Sequence, residues 1–496
     1  MDILTNSDIF CIILLKFGFN TERNGFMKKY LSLALLLCMI FAVCSCAQQS
    51  ETETAPEFSL DLGVTDLMGE DFLLMHNNAE HSSGEEYLGY VVDTEFADLA
   101  LQRIREVENT YHVKITEQRA TDLTNRIQAG TASGLVPIDA AQGSSGSLAG
   151  LLRTGYFADI TQLQEYIDYT DSAKWGNTEN LKPLFWNNGL YGVIPAAWPI
   201  HKYRSVDGAV VVNEDIIRRL NQTDPRELVE RDEWTWRTFE ELMPIYNHIN
   251  DAGDEVKALS TTVHWLFRTM HTTNGEPVII RQDGDYLLSL HSPVTFEAMQ
   301  TAWNWTFGEY STYVNIDLSN VWENMLAAFI EGRSVLTIMN GTDLCGSENS
   351  IAYSMDNFGV VPFPHGPNGT AQNTGATITD TRFSTCIPAL AKDPAISAFV
   401  LNAIYEPLPG YEDEESMIDY FRRFYFFDDR DVTNFMNMYN TVLYNYREEG
   451  VTDVYIGIRD NRSMQESLDA YAVADETNRI KYIVNIESSI DEIFGE

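Results

Sequence analysis

Carboxylates outnumber every other reactive side chain in this 496-residue protein, with 73 Asp and Glu against 33 Lys and Arg and nine His. Two carboxylates flanking a glycosidic bond would make a glycoside hydrolase. Clusters such as Asp413-Glu414-Glu415 and Asp428-Asp429-Arg430-Asp431 read instead as solvated faces. Gly143 and Ser145 stand at the spacing that opens a nucleophile elbow, G-x-S-x-G, but Ser147 occupies the closing position. No H-E-x-x-H, P-loop or G-x-G-x-x-G occurs, and the histidines are scattered, so neither metal nor cofactor is expected. The pattern argues against an enzyme. What remains is the turn Gln142-Gly143-Ser144-Ser145-Gly146-Ser147, whose backbone N–H groups could meet a ligand where a strand opens into a helix.

The elements around that turn alternate. Phe72 to Met75 reads as a buried strand, and Phe96, Leu99, Ala100, Ile104 and Val107 recur at helical spacing before a strand from Val113 to Thr116. Leu123, Ile127 and Ala129 mark a second helix broken at Gly134, and Val136 to Ala141 reads as the next strand. This β-α-β order predicts a mostly parallel sheet. Further on, Ala209 to Val212 is a strand, Thr235 can cap a helix, and Asp283-Gly284 signals a hairpin. A helix from Val321 to Glu331, with Asn320 and Glu323 as a capping pair, precedes a strand from Ser334 to Met339. Residues 388–405 are helical in pattern, and the aromatic stretch beyond Pro407 reads as packing.

At 44% hydrophobic residues the chain can bury a sizeable core. A net charge of −40 without a basic run excludes a nucleic-acid partner. Met27-Lys28-Lys29 followed by an apolar run to Val43 is a secretory signal, too short for a membrane span of about 20 residues. Residues 1–26 read as an upstream start. The stretch Val43-Cys44-Ser45-Cys46 resembles a bacterial lipobox, which implies cleavage before Cys46 and a lipid on its sulfur, with Cys44 the alternative. Residues 27–45 are then the signal and 46–57 a flexible tether. Of the cysteines only Cys345 and Cys386 remain for the body, either as one disulfide or as two buried thiols.

Five collinear stretches carry a resemblance over residues 72–405. They are the strand-turn-helix from Asp139 to Ile160, Leu190-Tyr191-Gly192-Val193-Ile194-Pro195, Trp234-Thr235-Trp236 with Phe239-Glu240-Glu241-Leu242, residues 329–341, and residues 358–367 with their Pro-x-Pro. Together they resemble the family 1, maltodextrin-binding-like extracellular solute-binding proteins, lipoprotein receptors of carbohydrate ABC importers. The resemblance implies an α/β, two-lobed, periplasmic-binding-protein-like (type II) fold with hinge crossings and an α-helical C-terminal region. Lobe 1 would hold residues 58–204 and 365–406, and lobe 2 residues 205–364 and 407–496.

It also implies a function, the capture of a sugar or other small polar solute between the lobes and its delivery to an ABC permease and ATPase. The protein would be a monomer, lipid-anchored at the outer face of the cell membrane. Aromatic faces stack on sugar C–H faces, and matching by position puts Trp265, Trp198, Asn340, Asp343, Gln142, Ser144 and Ser145 at the ligand. Gly143 and Asp343 depart from the family's cleft aromatics, which leaves a polar or acidic-contact sugar open. The alternatives are a glycan-binding lipoprotein without a transport role and a glycoside hydrolase.

Overall fold

The structure is a computed structural model that describes residues 66–77, 86–88, 90–91, 95–203, 205–276, 279–282, 285–289, 292–308, 310, 321–345, 350–378, 383–444, 446 and 463–495. The described residues belong to one compact unit within residues 60–496. The signal, Cys46 and the tether lie outside the described residues, as do Asp283, Gly284 and Asn320.

In chain order the principal strands of this unit are β1 (Glu70–His76), β2 (Val113–Arg119), β3 (Ala140–Ser144), β4 (Asp207–Asn213), β5 (His248–Ile249), β6 (Glu255–Ser260), β7 (Ser334–Asn340), β8 (Phe358–Val361), β9 (Thr377–Ile378), β10 (Phe383–Cys386) and β11 (Leu443–Tyr444). They form two sheets. The first is four-stranded in the order β10-β3-β1-β2, and the second is seven-stranded in the order β11-β9-β4-β7-β6-β5 with β8 also paired to β4.

The helix Glu95–Tyr111 crosses from β1 to its parallel neighbour β2 and buries Phe96, Ala100, Ile104 and Val107, the spacing that the sequence displays. The helix Leu123–Ser133 stops at Gly134, whose φ of 86° is the left-handed conformation that glycine adopts most readily. Strand β4 is buried at all seven positions, which suits its Ala-Val-Val-Val run to the centre of a covered sheet. The expected hairpin is present, with Ile279–Gln282 paired antiparallel to Asp285–Leu288.

Two crossings fix how the sheets meet. Val193 bridges Thr385 of β10, and the chain then enters β4 at Asp207, opposite Asn340 at the carboxyl end of β7. It returns from Ile378 of β9 to Phe383 of β10, opposite Ser144 at the carboxyl end of β3. Both crossings join the carboxyl ends of β1, β2 and β3 to those of β6 and β7, so these ends line one interlobe cleft.

The lobe boundaries differ from those expected. Residues 365–378 stay with the second sheet, held by the bridge between Thr235 and His365, by Gly366 N–H donating to the Thr273 carbonyl (2.9 Å) and by the pairing of Thr377 with Asp207. Beyond residue 407 the first lobe continues, because Tyr420 of the helix Glu414–Phe424 packs edge-on against Phe96 at 4.8 Å. The second sheet is rejoined by the helix Asp429–Asn440, where Asn434 donates to the Val360 carbonyl (2.9 Å). The last helix, Met464–Phe494, lies on the first-lobe hairpin around Asn188, whose N–H donates to Ser489 (2.8 Å), and reaches the hairpin at Tyr286 through Asp491 (2.9 Å).

Candidate functional site

The carboxyl end of the first sheet carries one polar row. Thr385 of β10, Gln142 of β3, His76 of β1 and Arg119 of β2 are register partners across all four strands, so their side chains share a face. Gln142 is buried, and its amide donates to the hydroxyls of Tyr405 (3.0 Å) and Thr385 (3.1 Å). His76 lies 3.6 Å from Glu117 of the preceding row. Burial, and then the nearby charge of Arg119, lower the His76 pKa and favour neutral imidazole. Burial likewise pushes the Glu117 carboxyl up to about 7, although its Oε2 accepts from Leu88 N–H at 2.8 Å.

Next to this row, Ser144 caps the helix Ser145–Leu152 by accepting from Ser147 N–H (3.2 Å), and buried Ser145 donates to Ser384 (3.4 Å). Gly143 has a packing reason to lack a side chain, since a Cβ there would meet Asn77 Oδ1 at 2.7 Å.

On the second sheet Asn340 and Asp343 are tied to each other. The Asn340 side chain accepts from Asp343 N–H at 2.7 Å and donates to the Asp343 carboxylate at 2.8 Å, capping the short helix Gly341–Cys345. Trp265 sits in the first turn of the helix Val263–Thr273, beside the carboxyl end of β6, and is 6% exposed. Trp198 is fully enclosed. Its indole N–H donates to the Glu406 carbonyl (2.9 Å) and its ring packs edge-on to Tyr405 at 5.3 Å. That arrangement makes Trp198 packing under the crossing, with no ring face left for a sugar. The row thus brings Gln142 together with His76, Glu117 and Arg119, three residues that the motif-led reading missed. Their signal lay in the strands themselves, where an apolar or alternating run ends in polar side chains at the carboxyl end of a parallel strand.

A cavity of 540 Å³ opens at the other end of β4, away from this cleft. Buried Arg226 organises its wall, with Nη1 2.9 Å from Asp431, Nη2 2.5 Å from Glu214 and 2.8 Å from Asp224, and Nε 3.0 Å from Asp224. These carboxylates hold the guanidinium firmly in its charged form. Among the described residues no group of three or more His, Cys, Asp or Glu could hold a metal ion, and no helix is long and apolar enough to cross a membrane.

The backbone can be compared with solved proteins. A cyclo/maltodextrin-binding protein, solved in complex with maltotetraose, is similar over 84% of this chain and 97% of its own, with a TM-score of 0.53 and 12% sequence identity. This similarity and the paired sheets define the class of fold as α/β, two-lobed and periplasmic-binding-protein-like. No family model and no curated protein matches the sequence.

Proposed function

We propose that this protein is the extracellular, lipid-anchored substrate-binding component of an ABC importer, capturing a sugar or oligosaccharide between its lobes and presenting it to a permease and ATPase. One observation carries the reading. Two sheets are joined by crossings so that their strand carboxyl ends face a common cleft, the place where open α/β sheets hold ligands. Two lobes joined by chain crossings suit hinge closure. The maltotetraose bound to the structurally similar protein, a cyclo/maltodextrin-binding protein, supports a carbohydrate as the ligand class.

The reading is tested on residues 47–496 by thermal shift and calorimetry against mono- and oligosaccharides, with amino acids, peptides and metal ions as controls. A sugar at about 100 times its Kd should stabilise the fold by roughly 2.7 kcal/mol, without being turned over. Hydrolysis of the sugar would make the protein a glycosidase, and silence across all sugars would overturn the sugar reading. The anchor is tested separately: Cys46→Ser should release the full chain from membranes, and retention would place the anchor elsewhere.

A further inference from the structure

We propose that the cleft is built for an acidic sugar, and that Arg119 takes the ligand's carboxylate. The inference rests on the sugar-receptor reading above and names the ligand's chemistry.

The row Thr385, Gln142, His76 and Arg119 is internally satisfied up to its last member. Gln142 bonds to Tyr405 and Thr385, and His76 stands against Glu117. Arg119 ends the row at the carboxyl end of β2, on the edge of the sheet. It is partly buried, its guanidinium makes no hydrogen bond or ion pair among the described residues, and its Nε is fully buried without a partner. A buried charged donor left unmade is costly. Elsewhere in this acidic chain Arg103, Arg126, Arg218, Arg226, Arg231 and Arg430 find carboxylates.

The groups nearest Arg119 do not neutralise it. His76 is held neutral, and Glu117, facing His76 from β2, is about half protonated near pH 7. The permanent charge at the end of the row is therefore left for an external anion to balance. Its planar fork matches a carboxylate bidentately. One guanidinium balances one negative charge, which fits a uronic acid residue better than a dianionic sugar phosphate.

The test uses residues 47–496 and calorimetric titration with trigalacturonate, maltotetraose and glucose 6-phosphate. Trigalacturonate should bind, and added salt should weaken it. Arg119→Met should lose at least about 30-fold in affinity, the scale of a charge-assisted hydrogen bond. Arg119→Lys, which keeps the charge without the fork, should lose less. The ligand-free Arg119→Met protein should melt no lower than the parent, because no internal bond is removed.

Each contrary result is distinguishable. Maltotetraose binding that Arg119→Met leaves intact, with trigalacturonate ignored, overturns the acidic-sugar inference and keeps the sugar-receptor reading. Binding of glucose 6-phosphate alone overturns the carboxylate assignment. Silence with all three probes overturns the acidic-sugar inference and leaves the sugar-receptor reading to the wider sugar screen above. A ligand-free Arg119→Met protein that melts several degrees lower makes Arg119 a structural residue and ends the proposal.

Discussion

Two arginines at opposite ends of the molecule set the terms for reading its charges. Arg226 is buried at the far end of β4 and meets four carboxylates, those of Glu214, Asp224, Asp428 and Asp431. Arg119 is partly buried at the cleft end of β2 and meets none. A cavity of 540 Å³ lies beside the saturated arginine. Its wall is polar, but the charges there already complete one another, and they tie β4, β8 and the helix Asp429–Asn440 together through Asp431, which also accepts from Val360 N–H at 2.7 Å. Cavity size and ligand readiness thus part company in this protein. An unfilled hydrogen-bonding capacity is the better guide to where a ligand belongs.

The contrast can be broken most forcefully at Arg226. Arg226→Met leaves Asp431 and Glu214 in a buried site without their cation, and we expect a loss of about 3–5 kcal/mol in denaturant unfolding with ligand affinity unchanged. A stable variant would show that the cluster does not hold that end of the second lobe.

Glu117 provides the next largest effect, through pH. Its folded-state pKa of about 7 lies above the value of 4.5 for a free carboxyl, so the folded protein binds its proton more tightly than the unfolded chain does. The resulting stabilisation is present in full below about pH 4.5 and is lost as the pH rises through 7, a total on the order of 3 kcal/mol. Glu117→Gln can still accept from Leu88 N–H and should remove this component. The parent should lose more stability than the variant between pH 5 and pH 8, and parallel melting curves would mean that the Glu117 carboxyl is solvated.

Gly143→Ala sharpens the comparison on the cleft side at about 1–3 kcal/mol, because the added methyl group meets the end of the Asn77 side chain and must displace it. Thermal melting measures it, and an unchanged melting temperature would show that Asn77 swings away freely. The smallest effect belongs to Arg119, where Arg119→Met without ligand should stay within about 0.5 kcal/mol of the parent. Against Arg226→Met that is the whole difference between a saturated charge and an open one.

Local patterns revealed the helices well. The spacing from Phe96 to Val107, the stop at Gly134 and the cap at Thr235, which accepts from Thr238 N–H at 3.2 Å, all depend on neighbours within a turn or two. Strand limits were less legible. Val136 and Ile138 are buried in the approach to β3, so the apolar run reads as a strand several residues before pairing starts at Ala140. The lobe boundary expected at residue 365 falls within the Pro-rich segment after Phe358, yet Trp234, more than 100 residues earlier, donates its indole N–H to the Pro362 carbonyl (2.9 Å) and ties the segment to the second lobe.

The site was legible only in outline. The resemblance picked the turn at Gln142, but its amide faces inward because Thr385 and Tyr405, far along the chain, supply the partners. Tryptophans attract attention by size, whereas Trp198 is placed by the carbonyl of Glu406 on another segment. Arg119 could be read as the polar end of an alternating strand. That it lacks a partner is a property of three dimensions alone.

Cys345 and Cys386 are free, buried thiols. The Cys345 Sγ donates to the Gly341 carbonyl (3.2 Å) beside the carboxyl end of β7, while Cys386 lies under the crossing, where a Cβ on Gly192 would approach its sulfur to 2.7 Å. Burial pushes the Cys386 thiol up to about 12 and raises that of Cys345 as well, so neither forms the reactive thiolate in the folded state. The body of the protein consequently folds without an oxidant and is indifferent to reductant. Each sheet also carries its own chemical clock: the rate at which a thiol reagent modifies Cys386 times the opening of the crossing, and the rate at Cys345 times the opening of the second lobe.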